Sequence, residues 1–420
     1  MAGLRSLDVG RLRGRAVTRD PDEPDRASTP LELFFDLTFV VAVARASAAL
    51  HHELAAGHVA DGVLGFVGVF FAVWWAWMNA TWFASAHDAD DVPYRLLMLV
   101  QMAGALVVAT GVTDALEHDD WLVVTIGYAV MRAGLAASWL RVARDEPAGR
   151  IRALRYAKGI TVLQVLWFAR LALPHGPAGT AGFLVLVAAE LAVPVWAERA
   201  AGAPVFHPGH IEERYGLFTI IVLGESILSA SAGFQAALDE GGLTAELLAL
   251  GLGGLVLAFT SWWLYFDHPG HLRPRREIAF RWGYAHVVIF AALAAMGAGL
   301  QVAIEGVTGH GEVRVAALSV AVPVAGYLLG LALVVVVTGT RPTDERVHPK
   351  VGGAVVVLAV GALAPVVATV AVAAAVMVVL AAWMVVSAVD PGEGAPVGRE
   401  RRPEVGRVED LDGAAQAGEL

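Results

Sequence analysis

The chain has 420 residues, of which 57% are hydrophobic and 17% charged, with a formal charge of -10 at neutral pH and no cysteine. That composition excludes disulfides, thiolate metal sites and thiol redox chemistry. It gives no support to nucleic-acid binding and reads as a polytopic helical membrane protein, because the apolar segments repeatedly exceed core-helix length.

The polar first 28 residues lack the apolar region and cleavage site of a signal peptide, so the first hydrophobic helix is expected to stay in the mature protein. That helix opens at Thr29-Pro30-Leu31-Glu32, where Thr29 suits an N-cap, Pro30 the first helical position and Glu32 a capping box. Asp36 follows one turn later on the same face, inside an apolar run. A carboxylate there costs roughly 2.5–3.5 kcal/mol unless it meets a partner, water or an ion.

Apolar windows of spanning length then recur near 31–50, 60–84, 94–113, 121–141, 155–173, 180–197, 212–233, 243–266, 279–303 and 313–338. The stretch 350–389 is long enough for two more, broken at Pro365, which disfavours helical geometry in the residue before it. Twelve helices are expected.

Lys and Arg collect in alternate connections, as expected of cytoplasmic loops. They fill the N-terminal tail, the connections after the fourth, eighth and tenth helices, and the C-terminal tail, whereas 51–59, 114–120, 174–179, 234–242 and 304–312 contain none. Both termini are therefore expected on the cytoplasmic side of a multi-pass chain. The expected organisation is a basic tail over 1–28, a six-helix half over 29–200, a second over 201–389, and a disordered tail over 390–420 whose Gly, Pro, Glu and Arg cannot pack.

The halves show internal similarity. A shift of 180 residues lays Glu32 on Glu212, Asp36 on Gly216 and Arg45 on Glu225; a slightly larger one lays Trp74-Trp75-Ala76-Trp77-Met78-Asn79 over Trp262-Trp263-Leu264-Tyr265-Phe266-Asp267. An offset of six helices leaves both copies in the same orientation, so the fold class is all-α, a membrane bundle of about twelve helices in two parallel six-helix repeats.

The stretch from Thr29 to Val40, together with Glu213-Arg214-Tyr215-Gly216-Leu217-Phe218-Thr219-Ile220-Ile221-Val222-Leu223-Gly224-Glu225-Ser226-Ile227, resembles the bacterial low temperature requirement A family of integral membrane proteins. The resemblance runs over roughly 29–389 and implies a cytoplasmic-membrane protein linked by name to growth in the cold. Phe35-Asp36 followed by Phe39 is also similar to the Phe-Ser-Asp helix of lysosomal-type potassium channels, with Phe here in place of Ser.

Helix polarity brings Glu32 and Asp36 to the same depth as Trp74, Trp75, Trp77 and Asn79, and in the second half Glu212 and Glu213 to the depth of Trp262, Trp263 and Asp267. Two acid-and-aromatic clusters would flank one vestibule, able to gather cations or relay protons. The competing reading is structural: Glu32 and Glu212 cap helices, and the Trp residues form an interfacial belt. Arg45 and Glu225 occupy equivalent places and are a candidate salt bridge across the pseudo-axis. Arg132 is a candidate acid partner, His286 a titratable core residue, and Arg170 and Glu190 read as side chains snorkelling from helix ends. The pairs His207/His210 and His268/His271 sit on loops without a third ligand, so no metal, and likewise no cofactor and no catalytic residue, is expected.

These features point to a non-enzymatic membrane protein that moves a small solute or ion, coupled to protons or cations. The alternatives are a passive cation channel and a non-transporting sensor or scaffold for cold adaptation. Expected partners are membrane lipids, the unknown solute or ion, and a second copy of the chain.

Overall fold

The computed structural model describes residues 14–21, 23, 26–174, 176–200, 206–267, 272, 276–309, 312–339 and 346–389. Among these there are twelve helices and no strand: α1 (Pro30–Ala55), α2 (Val59–His87), α3 (Val92–Glu117), α4 (Leu122–Asp145), α5 (Arg150–Arg170), α6 (Pro177–Glu198), α7 (Pro208–Gly241), α8 (Ala245–Phe266), α9 (Arg276–Val307), α10 (Val313–Val337), α11 (His348–Leu363) and α12 (Val366–Val389). Ten are long and apolar enough to cross a membrane; α11 has only 16 residues, and α5 concentrates Arg150, Arg152, Arg155 and Lys158 in its first half. The fold is an all-helical, multi-pass membrane bundle, and Pro365 separates α11 from α12 as the sequence predicts.

Local chemistry fixes the helix starts. The capping box of α1 is complete, with the Thr29 backbone N–H donating to Glu32 Oε2 at 2.8 Å and the Glu32 N–H to Thr29 Oγ1 at 3.3 Å. Asp91 caps α3 by accepting from the Tyr94 N–H at 3.0 Å, and Thr244 caps α8 by accepting from the Leu247 N–H at 3.1 Å.

The described residues up to Ala381 belong to one compact unit. Within it α1 packs on α2, α3, α7 and α9, and α9 packs on α1, α2, α7, α8 and α10. The neighbour order α1–α3–α4–α5 recurs as α7–α9–α10–α11. Small residues permit the tight crossings: a Cβ on Gly127 of α4 would stand 2.5 Å from the Val108 nitrogen of α3, and one on Gly299 of α9 would overlap the Ser319 carbonyl of α10.

α2 and α8, which carry the two aligned tryptophan motifs, differ in their surroundings. α2 is enclosed by α1, α3, α4, α7 and α9, with Trp74, Trp75 and Trp77 at most 2% exposed, whereas α8 leans chiefly on α7 and α9 and leaves Trp262 49% and Trp263 45% exposed.

The described part of the basic N-terminal segment runs across the helix ends on one side. Gly14 N–H donates to Asp91 Oδ2 at 2.7 Å, Thr18 Oγ1 to Glu146 Oε2 at 3.0 Å, the Arg19 N–H to the Ala86 carbonyl at 2.9 Å and the Ser28 N–H to Glu213 Oε2 at 3.0 Å. Residues 1–13, Arg273, Arg275, Arg341 and the 390–420 tail lie outside the described residues.

Candidate functional site

Asp36 is completely buried where α1 meets α7, and its partner is a residue sequence reasoning left unassigned: Arg214. The guanidinium donates from Nε to Asp36 Oδ2 at 3.1 Å and from Nη2 to Oδ1, while Nη1 stands 2.8 Å from Glu32 Oε1. From α2, Trp77 Nε1 donates to Asp36 Oδ1 at 2.7 Å. Glu32, 1% exposed, also lies 3.2 Å from His210 Nε2 while serving the capping box. Glu32 thus caps α1, as the structural reading expects, and pairs with His210 and Arg214 of α7 at the same time.

Two carboxylates therefore share one guanidinium and one imidazole. Burying such charges is repaid only when geometry is good and lone pairs are satisfied, and Asp36, with donors from Arg214 and Trp77, meets that condition. Around it, Trp77 stacks on Phe218 at a ring distance of 4.2 Å, and Phe35 and Phe39 stack at 4.4 Å, which surrounds the charges with apolar rings.

A second buried ion pair lies on the other face of α2. Arg132 of α4 and Glu190 of α6, both fully buried, meet at 2.9 Å. Glu190 also accepts from Trp75 Nε1 at 3.0 Å, Tyr128 OH at 2.9 Å and Trp167 Nε1 at 3.2 Å, and Arg132 lies over the Tyr128 ring. The snorkelling reading of Glu190 is thereby corrected: the helix turns it inward, towards four donors on α2, α4 and α5. Arg170 lies over the rings of Trp121 and Phe183 near the far end of α5.

The remaining sequence candidates scatter. Arg45 and Glu225 do not meet: Arg45 is exposed and has no ion pair among the described residues, and half-buried Glu225 accepts from Ser229 Oγ at 3.0 Å. The reason is helical phase, since Arg45 lies nine residues past Asp36 and so about 180° around α1 from the face that meets α7. Glu212 accepts from the Leu272 N–H, and Glu213 is exposed and binds Ser28, so neither joins Asp36. Asp267 is exposed at the end of α8 beside the outward-facing Trp262 and Trp263, so the second acid-and-aromatic cluster is not assembled.

His286 is buried among Tyr215, Trp282 and Phe290 with Nδ1 2.8 Å from the Trp282 carbonyl oxygen. Asn79 donates to the Trp75 carbonyl at 2.8 Å, and Trp74 packs edge-on against Tyr284. His207 accepts from the His210 N–H at 3.0 Å; His268 and His271 lie outside the described residues.

On the polar rim, Asp88 and Asp91 behave oppositely. Burial and the nearby Glu32 charge push the Asp88 carboxyl up. At Asp91 burial acts in the same sense but is outweighed by Arg141 and the N–H groups of Tyr94 and Gly14, so the carboxyl is held below its usual range.

Arg214 has one sequence signal: it is an arginine just inside an apolar run, two residues before the position that aligns with Asp36. Glu190 has a comparable one, a carboxylate in mid-window rather than at an edge.

A family model described as "Bacterial low temperature requirement A protein (LtrA)" matches residues 27–386. The chain is also similar to "Uncharacterized protein RA0937" of Rhizobium meliloti (strain 1021), 27% identical over 296 residues that cover 66% of this chain and 69% of that protein. No solved structure matches.

Proposed function

The chain belongs to the bacterial low temperature requirement A family, and from that premise we propose that it carries a small solute or ion across the bacterial cytoplasmic membrane, coupled to protons or a cation, with both termini in the cytoplasm. The route is the interface between the halves, where α1 meets α7. The supporting observation is the buried cluster of Glu32, Asp36, His210 and Arg214.

At contact distance two carboxylates face one guanidinium and one imidazole, and the part-buried Arg26 guanidinium also feels the Glu32 charge. A monovalent cation beside the carboxylates would shift that balance. His210 Nε2 stands 3.2 Å from Glu32, and its Nδ1 is buried without a hydrogen-bond partner among the described residues. Uptake and release of a single positive charge would therefore alter the force holding α1 to α7, which is the element a carrier needs to couple an ion to movement of its halves. The matching neighbour order of the two halves supports a pair of repeats meeting at this interface.

Proteoliposomes carrying the purified protein and a panel of protons, sodium and potassium test this reading. The expected result is ion-driven flux that Asp36→Asn abolishes while leaving helicity and size-exclusion behaviour unchanged, because Glu32 still balances Arg214. Equal flux in the variant, or none with any ion in the wild type, overturns it. Steady conductance in a planar bilayer without a coupling ion would replace it with a channel.

A further inference from the structure

Three guanidiniums are buried among the described residues, and two of them, Arg132 and Arg214, touch a carboxylate. The third does not. Arg152 of α5 is 5% exposed, its Nη2 lies 3.1 Å from His87 Nε2, its Nε has no hydrogen-bond partner, and it forms no ion pair among the described residues. A buried cation without a counterion costs several kcal/mol. It is stable only where something negative arrives or where water reaches it.

Arg152 lines a cavity of about 60 Å³ between α2, α4, α5, α6 and α9. That is room for about two waters, or one small carboxylate of a few heavy atoms in their place. Much of the wall is aromatic: Trp82, Phe83, Trp139, Tyr156, Phe206 and Tyr284. Trp139 and Tyr156 stack in parallel at 4.1 Å with planes 5° apart. At the mouth, part-exposed Glu198 accepts from Tyr156 OH at 3.1 Å. The other acid nearby, Glu146, approaches His87 Nδ1 at 4.0 Å and accepts from Thr18 Oγ1.

We propose that this cavity binds a small organic monoanion, with its carboxylate on Arg152 and its planar or apolar body against the aromatic walls. The guanidinium fork matches a carboxylate in shape and donor spacing. Aromatic faces disfavour a fully hydrated inorganic anion, which would have to shed water against surfaces that return no hydrogen bonds. Glu198 at the mouth repels a second negative charge, which sets the preference for a monoanion. The site stands apart from the Asp36 cluster, and the binding holds whether or not the chain transports.

Acetate is the probe, titrated against the full chain in detergent with tryptophan fluorescence and thermal unfolding as readouts; acetamide and ethylamine serve as neutral and cationic controls of similar size. The expected result is a saturable change with acetate and a rise in Tm with its concentration, absent with both controls. Arg152→Gln should weaken acetate on the order of tenfold or more. Ala279→Leu, which fills the cavity from α9 without touching the charge, should weaken it comparably and decides the matter if Arg152→Gln does not fold. No saturable response to acetate, an equal response to acetamide, or full binding by either folded variant overturns the proposal.

Discussion

Trp75 and Trp77 stand two residues apart on α2 and donate their indole N–H groups to carboxylates on opposite sides of it: Glu190 at 3.0 Å and Asp36 at 2.7 Å. Two residues along an α-helix turn the direction by about 200°. One helix thus braces two buried ion pairs that belong to different helix groups, α1 with α7 and α4 with α6.

Removing one brace at a time should be separable. Trp77→Phe keeps the ring against Phe218 but takes a donor from Asp36, and Trp75→Phe does the same to Glu190. Each should destabilise the detergent-solubilised protein by about 1.5–3 kcal/mol, the scale of a hydrogen bond to a charged group. Thermal unfolding followed by size exclusion reads the effect, and the double variant should show nearly the sum because the two indoles serve different acceptors.

Breaking the Arg132–Glu190 pair from one side leaves a buried charge. Arg132→Gln or Glu190→Gln should each cost about 3–5 kcal/mol, while the double variant, with no uncompensated charge, should be more stable than either. A double variant as unstable as the sum of the singles would show that the two residues do not depend on each other.

Arg45 of α1 and Arg214 of α7 should respond oppositely. Arg45→Leu, on an exposed position without an ion pair among the described residues, should change stability within about 0.5 kcal/mol. Arg214→Leu would leave Asp36 and Glu32 facing each other without their cation and should prevent recovery of monodisperse protein.

Asp88 and Asp91 should give opposite pH signatures. The Asp91 carboxyl is lowered when folded, so it contributes stability above its unfolded value near 3.8 that is lost as the pH falls through the folded value. Asp91→Asn should therefore be less stable than wild type at pH 7, with the difference shrinking as the medium is acidified below about 4. The Asp88 carboxyl is raised when folded, so its ionisation opposes folding at neutral pH; Asp88→Asn should be the more stable protein at pH 7, and that advantage should fade in acid. Melting curves from pH 3 to pH 8 check both signs.

Most of the architecture was legible before any coordinates, because in a membrane it rests on one-dimensional properties. Run length, hydropathy and the break at Pro365 count the helices, and the Thr29–Glu32 capping box marks the start of α1 to the residue. Asp36 stood out for the same reason, since an acid in an apolar run is costly wherever its partner lies. The partner itself was not legible. Alignment of the chain on itself paired Arg45 with Glu225, yet the phase of Arg45 on α1 turns it away, and Arg214, at an unremarkable sequence distance, is carried to Asp36 by the crossing of α1 and α7.

The sequence alone determined that this chain is a multi-pass helical protein of its family with acids at membrane depth, because burial of apolar length is a property of each segment taken singly. Tertiary structure decided which charges meet, that Trp75 and Trp77 bind opposite acids, and that Arg152 faces a cavity rather than a carboxylate. Those outcomes depend on helix rotation and neighbour choice, set by close-packed side chains from segments far apart in the chain, and no local pattern encodes them.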